Sequence, residues 1–326
     1  MENLPVMIEE KEELSNVLVS NTIAISNPYI KAATSENTRR AYQADIRHFE
    51  QWGGKLPAST DTVLHYLLGF AETLNSRTLS RRLTALKNWH IYQGFPDPTE
   101  HPSVSKTLTG IMRTHGKPKE KAPALSPEDL IKIVAYLTAK NSLRTIRDSA
   151  LLQLAFFGAF RRSEIVALEY EHIHWQKQGV EILLPHSKTD QTNEGSYCAI
   201  PYGNEQLCPV TALKQWLEIS NITTGPIFRR IHGKKELSIN PLDPISVSNI
   251  LRARAKNAGI ADADKFSSHS LRRGLATSAS CNGASLPSIM RQGRWKNVNT
   301  VMEYIDAAQR FEENAAGTVM VKVQKS

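Results

Sequence analysis

The stretch "SSHSLRRG" (267–274) places His269 and Arg272 three residues apart at the mouth of an expected helix, so the two share a face. Arg273 is turned about a quarter-turn away, toward solvent or backbone. Three readings fit this cluster: an exposed basic turn, a phosphate grip, or part of a catalytic centre. A second candidate lies in "LLQLAFFGAFRRSEIVAL", where an almost wholly apolar run ends in Gly158 and then Arg161-Arg162, with a cap-like Ser163-Glu164 behind them. A cation at the end of such a run is expected to be partly buried, and a buried charge must be paired. Its fork of donors suits a carboxylate or a phosphate. Arg161 therefore either pairs with Glu164 for structure or grips an oxyanion. Lys188, near the tip of an expected hairpin, is either a solvated lysine or a proton donor. Trp295 and Tyr304 in "GRWKNVNTVMEYIDA" read on their own as core or interface aromatics.

Phosphoryl transfer needs fixed cations on the non-bridging oxygens, an acceptor for the nucleophile's proton and a donor for the leaving oxygen. A tyrosine hydroxyl becomes a nucleophile when its proton is taken or its anion is stabilised by nearby cations. Two arginines, a histidine, a lysine and a tyrosine make a complete set for that chemistry without a metal, and no cofactor is expected. Competing sets are missing. "GIMRTHGKP" has the wrong glycine spacing for a phosphate-binding loop, "HIHW" (172–175) has no matching ligand cluster, and no Gly-x-Ser-x-Gly occurs.

The positioning elements can be read from caps and spacing. In "SENTRRAYQADIRHFEQW", Ser35 caps a helix with Tyr42, Ile46, Phe49 and Trp52 on one face. "STDTVLHYLLGFAETL" opens with a cap and is apolar enough to be largely buried. In "SRTLSRRLTALKNWHIYQG" the stripe is Leu79, Leu83, Leu86 and His90, with Arg77, Arg81 and Lys87 off it and Gly94 as a stop. "SVSKTLTGIMRTHG" makes a fourth helix. Together these predict a small helical bundle over 35–114. "GKPKEKAPALSPEDL" then reads as a basic linker over 115–125, with a helix start at Ser126-Pro127. A second, mostly helical domain over 126–326 is expected to carry helices at 126–140, 144–157, 209–220, 246–258, 270–282 and 285–292. One β-hairpin is expected in "GVEILLPHSKTDQTNEGSYCAIP".

Charge points to the partner. The chain has 326 residues and a formal net charge of +8. Residues 1–34 form an acidic tail of net −3, whereas 35–122 carry net +5 and 123–326 net +6. Two segments, each basic alone and joined by a basic tether, suit a clamp around a polyanion, because each neutralised phosphate releases counterions. No apolar run approaches a membrane span, the acidic start lacks the layout of a signal peptide, and three cysteines fit neither a zinc site nor a disulfide framework. A cytoplasmic, nucleoid-associated protein is expected.

The order Arg161, Lys188, His269-x-x-Arg272, Trp295, Tyr304 resembles the tyrosine recombinase (phage integrase) family. "GAFRRSEIVAL" matches the first-arginine motif with Glu164 behind it, "SHSLRRG" the His-x-x-Arg motif, and "GRWKNVNTVMEYI" the closing motif. Tryptophan stands where most integrases carry histidine, as in the Cre-like branch. The likeness runs over roughly residues 30–310 and includes the two arginine-bearing helices of the first domain. Residues 1–34 are too few and too acidic for a further arm-binding domain.

The resemblance implies a mainly α fold. A helical core-binding domain and a mixed α/β, mostly helical catalytic domain with a small sheet would form a C-shaped clamp on DNA. It implies a site-specific recombinase in which Tyr304 cleaves and rejoins DNA through a 3′-phosphotyrosyl bond. Arg161 and Arg272 would hold the phosphate oxygens, Lys188 would protonate the leaving 5′-oxygen and His269 would assist at the nucleophile. Trp295 would donate to the phosphate, and Glu164 would support the site. It further implies a double-stranded DNA partner with an inverted-repeat site and a homotetramer on two such sites, monomeric or weakly associated when free, with neither membrane nor small-molecule substrate. Position on the helices marks Thr38, Arg40, Arg77 and Arg81 for DNA contact, and the apolar Val319, Met320, Val321 and Val323 of the tail for docking on a neighbour. Two rivals are a type IB topoisomerase, which would relax DNA lacking a target site, and a non-catalytic DNA-binding protein of the same fold.

Overall fold

The computed structural model describes residues 33–118, 121–185, 195–233 and 236–308, together with Tyr29, Ala316 and Val319. The chain divides into two compact units, residues 1–120 and 121–326.

The first unit is a helical bundle: α1 Glu36–Trp52, α2 Thr60–Gly69, α3 Ser76–Tyr92 and α4 Pro102–His115. Ser35 and Ser59 accept from the backbone N–H three residues on, which satisfies donors that a helix start otherwise leaves open. Leu79, Leu83, Leu86 and His90 are all buried along α3, as their spacing requires, and the three leucines share a core with Phe49, Val63, Tyr66 and Leu67. One charge goes inside with them. Asp45 on α1 is buried and takes both Nε and Nη2 of Arg81 at 2.8 Å, with Arg82 Nε at 3.5 Å.

The second unit begins inside the expected linker. Residues 121–125 belong to it: Leu125 is fully buried, and its N–H donates to the Ser270 carbonyl at 2.9 Å. The helices follow as α5 Pro127–Lys140, α6 Leu143–Phe157, the short α7 Arg162–Val166, α8 Pro209–Ser220, α9 Pro244–Asn257, α10 Ser268–Cys281, α11 Leu286–Gly293 and α12 Val298–Ala308. The hairpin is present as β2 Gly179–Leu184 paired antiparallel with β3 Ser196–Pro201, and it turns Val180, Ile182 and Leu184 inward. Besides the short α7, three features were not anticipated. β1 Ile173–Gln176 adds a third strand, with Ile173 opposite Ile182. β4 Arg229–His232 and β5 Glu236–Pro241 form a second antiparallel ribbon, whose charged, mostly exposed residues hide the alternation of a strand. α12 carries Tyr304, and its apolar spacing at Val298, Val301 and Ile305 is helical.

Among the described residues no helix is long and apolar enough to cross a membrane, and no cluster of His, Cys, Asp and Glu is placed to hold a metal ion.

Candidate active site

The site is built where α6 stops. Gly158 follows the helix because a Cβ there would meet the Phe160 ring at 2.2 Å, and Ala159 then takes a positive φ of 46° that reverses the chain. Phe160 is buried, and Arg161 becomes the cap residue of α7. Glu164 takes both bonds from the cap residue: Oε2 accepts from the Arg161 backbone N–H at 2.9 Å and Oε1 from Arg161 Nη1 at 2.5 Å. From the far end of the chain, Arg294 reaches the same carboxylate, its Nη2 lying 3.3 Å from Oε2. It can do so because Arg294 itself adopts a left-handed conformation (φ 55°) at the end of α11. The preceding residue must be glycine, since a Cβ on Gly293 would collide with the Trp295 ring. Arg272, one turn into α10, is buried and donates to the carbonyls of Ala159 and Gly293 rather than to any carboxylate.

Two guanidiniums thus converge on one carboxylate, and a third, Arg272, stands beside them on backbone carbonyls. Burial alone would push the Glu164 carboxyl up. The Arg161 N–H and the charges of Arg294 and Arg161 outweigh burial and hold it below the ordinary carboxylate range. Arg272 is pushed down to about 9, first by burial and then by the charge of Arg161, with Arg294 adding to it and Glu164 opposing. It is still protonated at neutral pH. The shift records a cation held in low dielectric without its own counter-ion, an arrangement that an incoming oxyanion would relieve.

Aromatic residues extend the cluster. The Arg272 guanidinium carbon lies 4.1 Å from the centre of the Trp295 ring, and Trp295 meets Tyr304 edge-on at 6.1 Å. Beneath them, Ala159, Ala276, Ile289, Val301 and Ile305 form a small apolar core that seats Trp295 and Tyr304. Arg161 with Glu164, Arg272, Trp295 and Tyr304 are therefore brought together from four stretches of chain. His269 stands one turn before Arg272 on α10 and is exposed where Arg272 is buried. Lys188 lies outside the described residues.

Two cations of this region were not singled out by sequence reasoning. Arg294 sits inside the quoted "GRW" motif, and its one local signal is the glycine before it. Arg273 was expected to meet solvent or backbone. It donates to the Ala122 carbonyl, and it also lies against the Tyr304 ring.

The residues marked for DNA contact belong to the first unit. Thr38 shares a hydrogen bond with Ser35 in the α1 cap, Arg40 is exposed and paired with Glu36, and Arg77 is exposed at the start of α3. Arg81 is half-exposed but its fork is committed to Asp45.

Comparison with known proteins bears on the whole chain. Residues 123–310 match the model of the phage integrase family. An integrase/recombinase XerD homolog of Selenomonas ruminantium is 37% identical over 296 residues, covering 88% of this chain and 86% of its own length. The Cre recombinase of Escherichia phage P1 is 26% identical over 298 residues, covering 84% of this chain and 85% of its own. A lambda integrase dimer bound to a COC' core site shares the fold with a TM-score of 0.61 at 16% identity, covering 96% of this chain and 83% of that one. The chain belongs to the phage integrase family of tyrosine recombinases, enzymes that cleave and rejoin DNA at specific sites.

Proposed function

We propose that this protein recombines DNA by attack of the Tyr304 hydroxyl on a scissile phosphate, with release of a 5′-hydroxyl and formation of a 3′-phosphotyrosyl bond. The reading rests on the surplus of cation over anion beside Tyr304: two arginines, Arg161 and Arg294, share Glu164, and a third, Arg272, has carbonyls alone for acceptors. Arg161 and Arg272 supply donors for the two non-bridging oxygens as charge develops on them. The Trp295 indole N–H donates to the same phosphate. Glu164 fixes the orientation of Arg161 and Arg294. His269, at the exposed mouth of α10, assists proton transfer at the nucleophile, and Lys188 protonates the leaving 5′-oxygen. The bond energy stays in the covalent link, so the 5′-hydroxyl of a partner strand can reverse the step without ATP.

Both units bind the duplex in this reading. Thr38, Arg40, Arg77 and Arg81 of the first unit meet its phosphates, and four protomers bring two inverted-repeat sites together. The tail supports assembly through its apolar residues: Val319 is exposed, while Met320, Val321 and Val323 lie outside the described residues. The setting is the DNA-bearing compartment of a cell.

The test is a plasmid carrying two copies of the inverted repeat drawn from DNA flanking the gene, incubated with protein in EDTA. Wild type is expected to give deletion or inversion products and Tyr304→Phe none. Relaxation of a plasmid without any site, and no recombinant, would instead identify a topoisomerase.

A further inference from the structure

The Tyr304 ring has two neighbours that can fix its place. Trp295 meets it edge-on at 6.1 Å, and the Arg273 guanidinium carbon stands 5.2 Å from the centre of its ring. That guanidinium is fixed from behind, because it donates to the carbonyl of Ala122, 151 residues earlier in the chain. The segment around Ala122 is itself fastened to both helices. Lys121 pairs with Glu303, the residue before Tyr304, at 2.5 Å, and the Leu125 N–H donates to Ser270 on α10 at 2.9 Å. Gly274, beside Arg273, allows this approach, since a Cβ there would strike the Leu125 carbonyl at 2.2 Å.

The fold alone gives little reason for an arginine here. Its Nε is buried with no hydrogen-bond partner among the described residues, and an unmet buried donor costs stability. A cation facing an aromatic ring, by contrast, is attracted by the ring's negative face, and a planar guanidinium is well shaped for it.

We propose that Arg273 is a positioning residue for Tyr304: anchored on the Ala122 carbonyl, it holds the ring in one place and so keeps the hydroxyl placed for attack. The inference rests on Tyr304 being the nucleophile. Arg273 has no contact with the phosphate in this scheme. It acts by restricting where the ring lies, and a displacement of about 1 Å at a reacting atom can lower a rate by about 100-fold.

The test measures single-turnover formation of the covalent protein–DNA adduct on a nicked duplex at saturating DNA, alongside DNA affinity and thermal unfolding. The proteins are wild type, Arg273→Met and Arg273→Lys. Arg273→Met is expected to slow adduct formation about 10- to 100-fold, with DNA affinity and melting temperature close to wild type. Arg273→Lys, which keeps a cation over the ring, should recover part of the rate. A wild-type rate in Arg273→Met overturns the proposal. So does a loss that lysine does not restore, which marks a structural role, or a parallel fall in DNA affinity, which marks a phosphate contact. If the wild type itself forms no adduct, the assignment of Tyr304 has failed instead.

Discussion

Two buried clusters in the second unit use the same residue types to opposite ends. At Asp148, which is fully buried, Arg147 donates from Nε at 3.0 Å and Nη2 at 2.6 Å, and Arg254 donates from Nε at 2.8 Å and Nη2 at 2.6 Å. Four donors fill the carboxylate, and Arg147 spends a further N–H on the Arg229 carbonyl at 3.0 Å. This staple joins α6, α9 and β4 and leaves nothing for a ligand. At Glu164 one carboxylate serves two arginines, and a third and more deeply buried one beside them, Arg272, does not touch it. Arginine and carboxylate together thus do not mark a site. A site is marked by the imbalance, together with an aromatic hydroxyl within reach.

Substitutions in each cluster test that contrast. The largest effect is expected at the staple: Asp148→Ala leaves two buried arginines without a counter-ion and should cost about 3–5 kcal/mol of stability, read by urea unfolding. A loss comparable to a surface substitution would show that the cluster is not a staple. Next comes Arg272→Met, which should lower the rate of adduct formation about 100- to 1000-fold, the range for removing one preorganised oxyanion donor, while DNA still binds.

The third test uses pH. The Glu164 carboxyl is held below its ordinary value of 4.5 in the folded protein, so its contribution to stability is complete above that pH and disappears as pH falls through the depressed value. Glu164→Gln should therefore flatten the acid limb of the stability curve below about pH 4.5, measured as urea midpoints at successive pH values. An unchanged acid limb would place the titrating group elsewhere.

The smallest effect belongs to the first unit. Arg77→Ala should weaken DNA binding alike on all sequences and reduce the slope of log affinity against log salt by about 1. An unchanged slope would remove Arg77 from the phosphate contacts.

Local chemistry was readable in the chain, and distant pairing was not. Ser35, Ser59 and Ser126 cap the helices that their neighbours predicted, and the α3 stripe is buried residue for residue. The three motifs gave Arg161, Glu164, Arg272, Trp295 and Tyr304, which the fold assembles. Of the two alternatives for Arg161, the pairing with Glu164 is present, and its grip on an oxyanion belongs to the proposal. Three features escaped because they depend on residues far apart in sequence. Asp45 is buried by an arginine 36 positions away, Arg294 acquires its place from a backbone reversal and an acid 130 positions away, and Arg273 owes its contact to Ala122. No periodicity within one helix carries such information.

The central claim is that the Glu164 cluster and Tyr304 form one phosphate-cleaving site. It is tested most directly by wild type, Tyr304→Phe and Arg272→Met on a radiolabelled nicked duplex in EDTA, resolved on a denaturing gel. The account predicts a protein–DNA adduct with wild type, none with Tyr304→Phe, a trace with Arg272→Met, and unchanged mobility shifts with all three. An adduct that survives Tyr304→Phe, or a wild type that binds tightly and never cleaves, would contradict it.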